Sequence, residues 1–335
     1  MKYLLTGATG FLGQNLCNHF TKQEASLCLL SRNTRQSLDK FPYTAQFVDW
    51  DHVSSNIDDK YLACDAVIHL AGENIAGKRW TKTQRKRLWD SRIKSTAALV
   101  SSIMNAPIKP KVFICASAIG YYGDRWQEEL DEASEKGEGF LADLCEEWEN
   151  VCAPLTAAGV RVVHVRSGIV LGLNEGALGE FVKLSDLGVL GCIGSGQQWM
   201  SWIHVNDWVK ALQYCIDTST ISGAVNFVSP SPIQQKNFMQ ILSSHFHRSP
   251  FFSVPASIAK LVFGGMSSLF LFSQKVRPQK LLANGFSFSY KTLDAALVDL
   301  YPNQGKEHIL EKFLFVPIET EKIFLFFTDP YNLEE

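Results

Sequence analysis

The sequence lacks a strong excess of either charge. Its 335 residues carry 32 Lys and Arg against 34 Asp and Glu, so the formal net charge is −2. Nucleic-acid-binding proteins usually present a basic patch or stripe, and we therefore do not expect nucleic acid as a main partner. The sequence also lacks a C-x-x-C pair, because its eight cysteines are scattered. Several lie in apolar runs such as A-S-L-C-L-L, which predicts reduced core residues in a cytoplasmic protein and no metal site.

Long apolar runs are also missing. The most membrane-like stretch is L-V-F-G-G-M-S-S-L-F-L-F at residues 261–272, whereas a spanning helix needs about 20 apolar residues. We expect a buried helix there in preference to a membrane contact, and no transmembrane segment. Met1-Lys2-Tyr3 leads directly into an apolar strand, so we also expect no signal peptide.

The sequence does contain a regular alternation of short apolar runs with longer amphipathic stretches over residues 1–172. Because parallel strands need helical crossovers, this alternation predicts an α/β fold with a doubly wound, parallel Rossmann sheet. The predicted helices are 13–22, 81–104 and 140–158. The predicted strands are 2–6, 27–31, 45–49, 65–70, 111–116 and 161–166.

The alternation breaks after Gly172. Residues 173–201 are rich in glycine and are predicted as loops around a site. Strands at 202–205 and 224–228 are predicted to return to the sheet. The sequence therefore predicts three units: a Rossmann domain formed by 1–172 and 202–228, a smaller α-rich substrate lobe formed by 173–201 and 229–300, and an appended tail at 301–335.

The motif G-A-T-G-F-L-G lies between the first strand and the first helix. Gly7 permits a sharp turn, Gly10 lets backbone approach a pyrophosphate, and Gly13 lets the helix pack close to the strand. Glycine patterns are common by chance, but this context predicts a nicotinamide dinucleotide site in preference to a structural turn. The other predicted cofactor contacts in this loop are Thr9, Phe11 and Leu12.

The end of the second strand predicts which dinucleotide binds. There L-L-S-R-N places Ser31 and Arg32 where an acidic residue would bind the ribose of NAD. A guanidinium suits the 2′-phosphate of NADP by charge and planar shape, so NADP is predicted in preference to NAD, with a solvated basic turn as the alternative. Arg35 could be a second contact. The remaining predicted cofactor contacts are Asp49, Trp50, Leu70, Ala71, Gly72 and Arg166.

Several longer motifs resemble the extended short-chain dehydrogenase/reductase superfamily of the NAD(P)-dependent epimerase/dehydratase type. They are G-A-T-G-F-L-G, V-I-H-L-A-G, A-S-A-I-G-Y-Y-G-D and W-I-H-V-N-D. The segments H-L-A-G-E-N-I-A-G-K-R-W, W-D-S-R-I-K-S-T, G-F-L-A-D-L-C-E-E-W-E and I-G-S-G-Q-Q-W-M-S-W-I-H are similar to one atypical subfamily, described as sugar-nucleotide epimerases and sometimes as cell-division inhibitors. This resemblance covers residues 1 to about 300 and implies a homodimer formed through helices 81–104 and 140–158.

The superfamily resemblance also implies a Tyr and a Lys four residues apart on one helix, which move a proton while nicotinamide moves a hydride. The corresponding helix here reads G-F-L-A-D-L-C-E-E-W-E. It places Phe140 or Leu141 at the Tyr position and Leu144 or Cys145 at the Lys position. None of these side chains can serve as the usual proton-transfer pair, so the sequence predicts that the standard machinery is missing.

Two hypotheses follow for the function. In the first, Ser117, Tyr121 and Tyr122 take over acid–base catalysis in an NADP-dependent epimerase or oxidoreductase. Its substrate would be small and polar, such as a nucleotide-linked sugar or a carbonyl compound. Burial or packing is the alternative role for both tyrosines, and Ala118 could equally occupy the motif position of Ser117. In the second hypothesis the chain is a non-catalytic NADP-binding sensor or scaffold. We favour the enzyme, because the loops around the cleft are polar and aromatic.

For a few further residues and segments, the sequence allows both a functional and a structural interpretation. Glu73 and Asn74 could face the same cleft, and the loop 194–199 could shape a substrate site or form a tight structural turn. His204 in W-I-H-V-N-D is favoured as a structural hydrogen-bonding residue over a catalytic base. The phrase F-x-F-F-x-D-P-x-N-L-E in the tail resembles the opening of a START-like lipid-binding domain, the alternative being a short appendage on the sheet.

Overall fold

The computed structural model describes residues 1–32, 41, 45–51, 57–186, 191–247 and 252–302. Arg35 and nearly all of the predicted tail lie outside these residues. The strands are Lys2–Thr6 (β1), Ser26–Ser31 (β2), Gln46–Asp49 (β3), Ala66–His69 (β4), Val112–Ala118 (β5), Glu129–Leu130 (β6), Arg161–Ser167 (β7), Ile169–Leu171 (β8), Gly191–Ile193 (β9), Trp199–Met200 (β10), Trp202–His204 (β11), Gly223–Phe227 (β12), Ile233–Gln234 (β13), Phe252–Val254 (β14) and Lys275–Val276 (β15).

Helices follow most strands of the first half and dominate the second half. Two 3-10 helices, Ile119–Tyr122 and Gly264–Ser267, complete the set in the described part of the chain. The α-helices are Phe11–Lys22 (α1), Asp59–Leu62 (α2), Lys82–Asn105 (α3), Phe140–Asn150 (α4), Ala153–Ala157 (α5), Gly176–Asp186 (α6), Val205–Asp217 (α7), Gln235–His245 (α8), Ala256–Phe263 (α9), Ser268–Leu271 (α10), Gln279–Ala283 (α11) and Leu293–Leu300 (α12).

The main sheet has seven parallel strands in the order β12-β7-β5-β4-β1-β2-β3. This arrangement confirms the predicted Rossmann fold. The strand order reverses between β1 and β4, and the carboxyl ends of the strands open a crevice at such a reversal. The prediction for the later strands was half right. β12 joins the sheet beside β7, whereas β11 pairs with β8 in a separate two-stranded ladder.

Both faces of the sheet are covered, which explains why its strands are almost continuously apolar. Leu16 and Phe20 of α1 and Trp208 of α7 belong to the core on one face. Leu99 of α3 and Trp148 of α4 belong to the core on the other face. The predicted helix at 140–158 is two helices, α4 and α5. Pro154 occupies the first turn of α5, where its missing N–H is tolerated and where a new helix can start.

A separate apolar core joins residues from β8 to β11 with α8 and α12. The prediction of loops over 173–201 was wrong for 176–186, because α6 lies there. Leu178 and Phe181 of α6 are three residues apart and both bury their side chains in this core, so the helical periodicity was hidden by the surrounding glycines. The later part of the chain is α-rich, as α8 to α12 show.

The stretch 261–272 contains the end of α9, a 3-10 turn and the short helix α10. It is therefore a broken helical segment and not one continuous buried helix. Across the described ranges, we find no helix with both the length and the apolar character needed to cross a membrane.

Candidate functional site

The glycine loop between β1 and α1 is packed closely on two sides and open on a third. A Cβ added to Gly7, which has φ +72°, would lie 2.7 Å from the carbonyl carbon of Leu70. A Cβ on Gly13 would lie 2.2 Å from the carbonyl oxygen of Gly7. A Cβ on Gly10 would meet nothing nearer than 3.5 Å. Gly10 is therefore exposed beside the start of α1, and a helix N-terminus offers main-chain N–H groups to an anion such as a pyrophosphate.

The other predicted residues of this loop hold its shape. The side-chain amide of Gln14 donates to the carbonyl oxygen of Thr9 at 2.7 Å. Leu12 packs against the sheet core. The ring of Phe11 lies over Gly172, where an added Cβ would come within 2.3 Å of its Cζ atom. The phosphate loop is thus in contact with the segment that follows β8.

The opposite wall of the crevice is supported by a buried chain of hydrogen bonds. Thr6 Oγ1 accepts from the backbone N–H of Ala71 at 3.2 Å and lies 2.7 Å from Nδ1 of His69. His69 Nε2 lies 3.0 Å from Thr96 Oγ1, which also accepts from Trp148 Nε1. Thr96 donates its own proton to a helix carbonyl, so Nε2 of His69 is the protonated nitrogen and Nδ1 accepts from Thr6. This chain fixes the backbone at Ala71 without using a charged group.

The predicted loop 70–72 lies directly beside Gly7, as the glycine contacts show. Leu70 donates its N–H to the carbonyl oxygen of Thr6, Ala71 is half-buried and Gly72 is exposed. Below them, the guanidinium of Arg92 donates to the carbonyl oxygen of Glu73 at 3.0 Å. The structure therefore brings the phosphate loop and the end of β4 together in one crevice.

The residues predicted to select the cofactor lie at the ends of β2 and β3. Arg32 is exposed, and its guanidinium makes no ion pair within the described part of the chain. Trp50 is buried and donates its backbone N–H to the carbonyl oxygen of Ser31 at 2.9 Å, while Asp49 is exposed. Arg32 is thus positioned to meet an anion that arrives from solvent.

A buried ion pair lies at the carboxyl ends of β5 and β7. The guanidinium of Arg166 donates from Nε and Nη2 to the two carboxylate oxygens of Glu149, both at 2.8 Å. Ser117 donates its hydroxyl proton to Oε1 of the same carboxylate at 2.7 Å. Their side chains are almost fully buried, with Arg166 5% and Glu149 11% exposed. Arg166 was predicted as a cofactor contact, and here its charge is balanced by Glu149.

The two tyrosines have different surroundings. Tyr122 is fully buried, donates to Oδ1 of Asn226 at 2.8 Å and accepts from Nη1 of Arg166 at 3.1 Å. Burial raises the pKa of the Tyr122 hydroxyl to about 12, although Arg166 opposes that shift. Tyr121 is half-buried, and its ring centroid lies 3.4 Å from the guanidinium carbon of Arg166. The Tyr121 hydroxyl makes no hydrogen bond to another described residue. Of the two tyrosine hydroxyls, it is therefore the one that can still bind a ligand.

The start of α4, where the family resemblance places the Tyr and the Lys, is apolar and packed. The Phe140 ring meets Trp80 edge-on at 5.3 Å and belongs with Leu141 to a cluster that includes Met266. Leu144 and Cys145 are buried beneath them. These positions contribute to the contact between α3, α4 and the segment after α9. The one titratable group among them is the Cys145 thiol, whose pKa burial raises to about 11.

The residues with two interpretations have mostly structural contacts. Nδ1 of His204 accepts from the N–H of Asn206 at 3.0 Å and so caps α7, and its ring stacks on Tyr290 at 3.8 Å. Asn74 accepts a hydrogen bond within its own turn. In the loop 194–199, Gln198 donates to the carbonyl oxygens of two residues on different segments. This loop is therefore tied to the segment before β15.

Sequence reasoning missed Glu149, Asn226 and His69. Glu149 lies in the third turn of α4, and acidic residues on helices are usually solvated, so no local signal distinguished it. Asn226 interrupts the apolar strand A-V-N-F. A polar residue inside a buried strand must find hydrogen-bond partners, and that feature could have singled it out.

Residues 3–143 match the model of the NAD dependent epimerase/dehydratase family, and residues 254–300 match a domain of unknown function, DUF1731. The chain is 34% identical over 301 residues to the epimerase family protein YfhF of Bacillus subtilis, covering 90% of this chain and 98% of that protein. The chain belongs to the epimerase/dehydratase family. This family lies within the extended short-chain dehydrogenase/reductase superfamily, so the predicted membership is confirmed at that level.

Solved structures show the same relationship. The human epimerase family protein SDR39U1, crystallised with NADPH, superposes with a TM-score of 0.81 and is 32% identical, covering 90% of this chain and all of that one. A nucleoside-diphosphate sugar epimerase from Corynebacterium glutamicum superposes with a TM-score of 0.73 at 28% identity. It covers 97% of this chain, which spans 64% of that protein.

Proposed function

We propose that this family member is an NADP-dependent epimerase or oxidoreductase acting on a small polar substrate, such as a nucleotide-linked sugar or a carbonyl compound. The observation that carries the proposal is the phosphate loop, where Gly10 alone is open to a ligand while Gly7 and Gly13 are closed by backbone. The NADPH in the human relative and the name of the Corynebacterium relative support the cofactor and the substrate class.

In this proposal the pyrophosphate binds at Gly10 and at the first turn of α1, and the Leu70–Gly72 backbone forms the opposite wall. Arg32 meets the 2′-phosphate of NADP, because it is exposed at the end of β2 and has no ion-pair partner in the described ranges. When bound, the cofactor supplies or accepts a hydride. The groups of this chain must then bind, orient and exchange a proton with the substrate.

Titration of the purified chain with NADPH and NADH tests the cofactor assignment. We expect NADPH to bind at least about tenfold more tightly than NADH, a difference of about 1.4 kcal/mol in binding free energy. Arg32→Asp should remove that preference, because it replaces the positive charge that meets the 2′-phosphate with a negative one. Arg87→Asp makes the same charge change at an exposed position on α3 and should leave the preference intact. Equal affinities of the parent protein for the two cofactors would contradict the role of Arg32.

For acid–base work we propose Tyr121, because its hydroxyl is uncommitted while that of Tyr122 is held by Asn226 and Arg166. Ser117 then acts through Glu149 as a positioning residue. The test is turnover on a panel of nucleotide sugars and carbonyl compounds with NADPH or NADP present. Tyr121→Phe should lower kcat at least about 100-fold. If the chain binds NADPH tightly but turns over no member of the panel, the hypothesis of a non-catalytic NADP-binding sensor or scaffold replaces that of an enzyme.

Three wider predictions belong to the same proposal. Segments 173–201 and 229–300 form the substrate lobe on the Rossmann domain of 1–172 and 202–228. Two copies of the chain pair through α3 and α4, which light scattering can check. The appended segment 301–335, whose residues 303–335 lie outside the described structure, resembles the opening of a START-like lipid-binding domain, and lipid binding by the purified chain tests that resemblance.

A further inference from the structure

Two thiols and an imidazole converge on the sheet face that α3, α4 and α5 cover. Cys115 lies on β5 and His164 lies directly opposite it on β7 in the parallel register. Cys152 lies between α4 and α5. The two Sγ atoms and an imidazole nitrogen all fall within 4.8 Å of one another. Three potential ligand atoms from three separate segments therefore share one small volume.

His164 differs from the other two buried or capping histidines described above. Both ring nitrogens of His69 have hydroxyl partners. Nδ1 of His204 accepts from a backbone N–H, and its buried Nε2, although it makes no hydrogen bond in the described part of the chain, lies 3.2 Å from Oδ2 of Asp299. Nδ1 of His164 is buried, and no hydrogen-bond partner for it exists among the described residues. A buried polar atom without a partner is uncommon and costly. One ring nitrogen of this imidazole thus lacks a hydrogen-bond partner within the described ranges, and the imidazole lies beside the two thiols.

We propose that Cys115, Cys152 and His164 form a binding site for a thiophilic divalent cation of the zinc class. Thiolate sulfur and imidazole nitrogen are the ligands that zinc prefers. Ligands of a tetrahedral zinc ion stand about 3.5–3.8 Å apart, as follows from metal–ligand distances of about 2.0–2.3 Å. Because the ligand atoms lie within 4.8 Å of one another, the three side chains need to approach by about 1.3 Å at most.

Of the three side chains, the imidazole lies nearest to solvent, because Cys115 and Cys152 are buried whereas His164 is half-buried. In this proposal a water beside the imidazole completes the coordination. Three protein ligands and one water make a four-coordinate site. Binding releases the two thiol protons to solvent as the Sγ atoms become thiolate ligands, and no oxidation or reduction takes place.

The site lies one row below the ion pair described above. Cys115 precedes Ser117 by two residues on β5, and His164 precedes Arg166 by two residues on β7, with both pairs in register. Cys152 follows Glu149 by three residues. A bound ion would therefore join β5, β7 and the segment after α4 one row below the place where Ser117, Arg166 and Glu149 meet.

The purified 335-residue chain, kept in reducing buffer, provides the test with zinc and cobalt ions alone as probes. We expect one zinc ion per chain by mass spectrometry of the metal, and one cobalt ion with a thiolate-to-cobalt absorption band. Cys152→Ser and His164→Phe should each lose the bound ion. Cys215→Ser removes an equally buried thiol from α7, on the opposite face of the sheet, and should keep full occupancy.

Zinc should also raise the melting temperature of the parent and of Cys215→Ser but not of Cys152→Ser. The proposal is overturned if the parent takes up neither ion, or if Cys152→Ser binds cobalt with the same thiolate band. It is equally overturned if the parent takes up no ion and a Cys115–Cys152 disulfide forms under mild oxidation. The cobalt spectrum of the parent decides the matter even where a variant does not fold.

Discussion

The two ends of the crevice are built in different ways. At the phosphate loop, the shape is set by backbone: Gly7 and Gly13 are closed by main-chain atoms, and Gly10 is open. At the ends of β5 and β7, the arrangement is set by side chains that are far apart in sequence, chiefly Glu149 and Arg166. The first end can be inferred from a seven-residue motif, whereas the second exists only after folding brings its residues together.

The largest expected effect comes from the side-chain end. Glu149→Ala leaves the Arg166 guanidinium buried without its counter-charge, so the free energy of unfolding should fall by about 3–5 kcal/mol. Glu128→Ala is a matched control, because Glu128 also holds an arginine, Arg125, through two hydrogen bonds but is 49% exposed. Glu128→Ala should cost far less, because solvent screens an exposed ion pair. Urea unfolding measures the free energy of unfolding of both variants. Equal losses in Glu149→Ala and Glu128→Ala would mean that the buried ion pair is no more important for stability than the exposed one.

The glycine end predicts a separation of stability from binding. Gly13→Ala places a methyl group 2.2 Å from the Gly7 carbonyl oxygen and 2.6 Å from the Cα atom of Ala8, and it should cost about 1–3 kcal/mol of unfolding free energy. Gly10→Ala meets open space at φ −80°, so stability should stay within about 0.5 kcal/mol. NADPH affinity should nevertheless fall at least about tenfold. Unchanged affinity of Gly10→Ala would mean that no pyrophosphate binds there.

At the ends of β5 and β7, the two tyrosines allow a hydrogen-bonded hydroxyl to be compared with one that has no described partner. Tyr122→Phe leaves Asn226 Oδ1 and one Arg166 N–H without their partner, which should lower the free energy of unfolding by about 1–3 kcal/mol. Tyr121→Phe removes a hydroxyl without a described partner and should change stability by less than about 0.5 kcal/mol. Thermal unfolding of the two variants checks this. Similar losses in both would show that the Tyr121 hydroxyl has a structural role.

The features that could be predicted from the sequence are the local ones, as at the phosphate loop. Those that depend on residues far apart in the chain, as at the ends of β5 and β7, could not be predicted. The strands of the main sheet and the glycine loop were predictable, because apolar periodicity and glycine spacing are local properties of the chain. The same periodicity wrongly added 202–205 to the sheet, since pairing with β8 is decided by the fold. Helix α6 was missed, since the glycines around Leu178 and Phe181 hid its periodicity. The Glu149–Arg166 pair could not be predicted, because a carboxylate three turns along an amphipathic helix looks like any solvated one until β7 brings the guanidinium beside it.

The smallest expected effect concerns His204, a polar motif residue outside both ends. Burial lowers the pKa of the His204 imidazole despite Asp299, whose Oδ2 lies 3.2 Å from Nε2, and despite Asp207, while Lys210 adds to the lowering. The folded state thus binds fewer protons than the unfolded state, whose histidine pKa is about 6.5. The stability that this group contributes is present above pH 6.5 and is lost as the pH falls from there towards the folded-state pKa.

His204→Asn keeps a residue that can cap α7 and removes the titration. Between pH 7 and pH 5, the free energy of unfolding should therefore fall less steeply in this variant than in the parent. The other histidines with lowered pKa, His19 and His164, are present in both proteins and cancel in the difference. Parallel curves for the two proteins would mean that His204 is protonated equally in the folded and unfolded states. The contribution of His204 to stability would then come from the hydrogen bond with Asn206 and not from its titration.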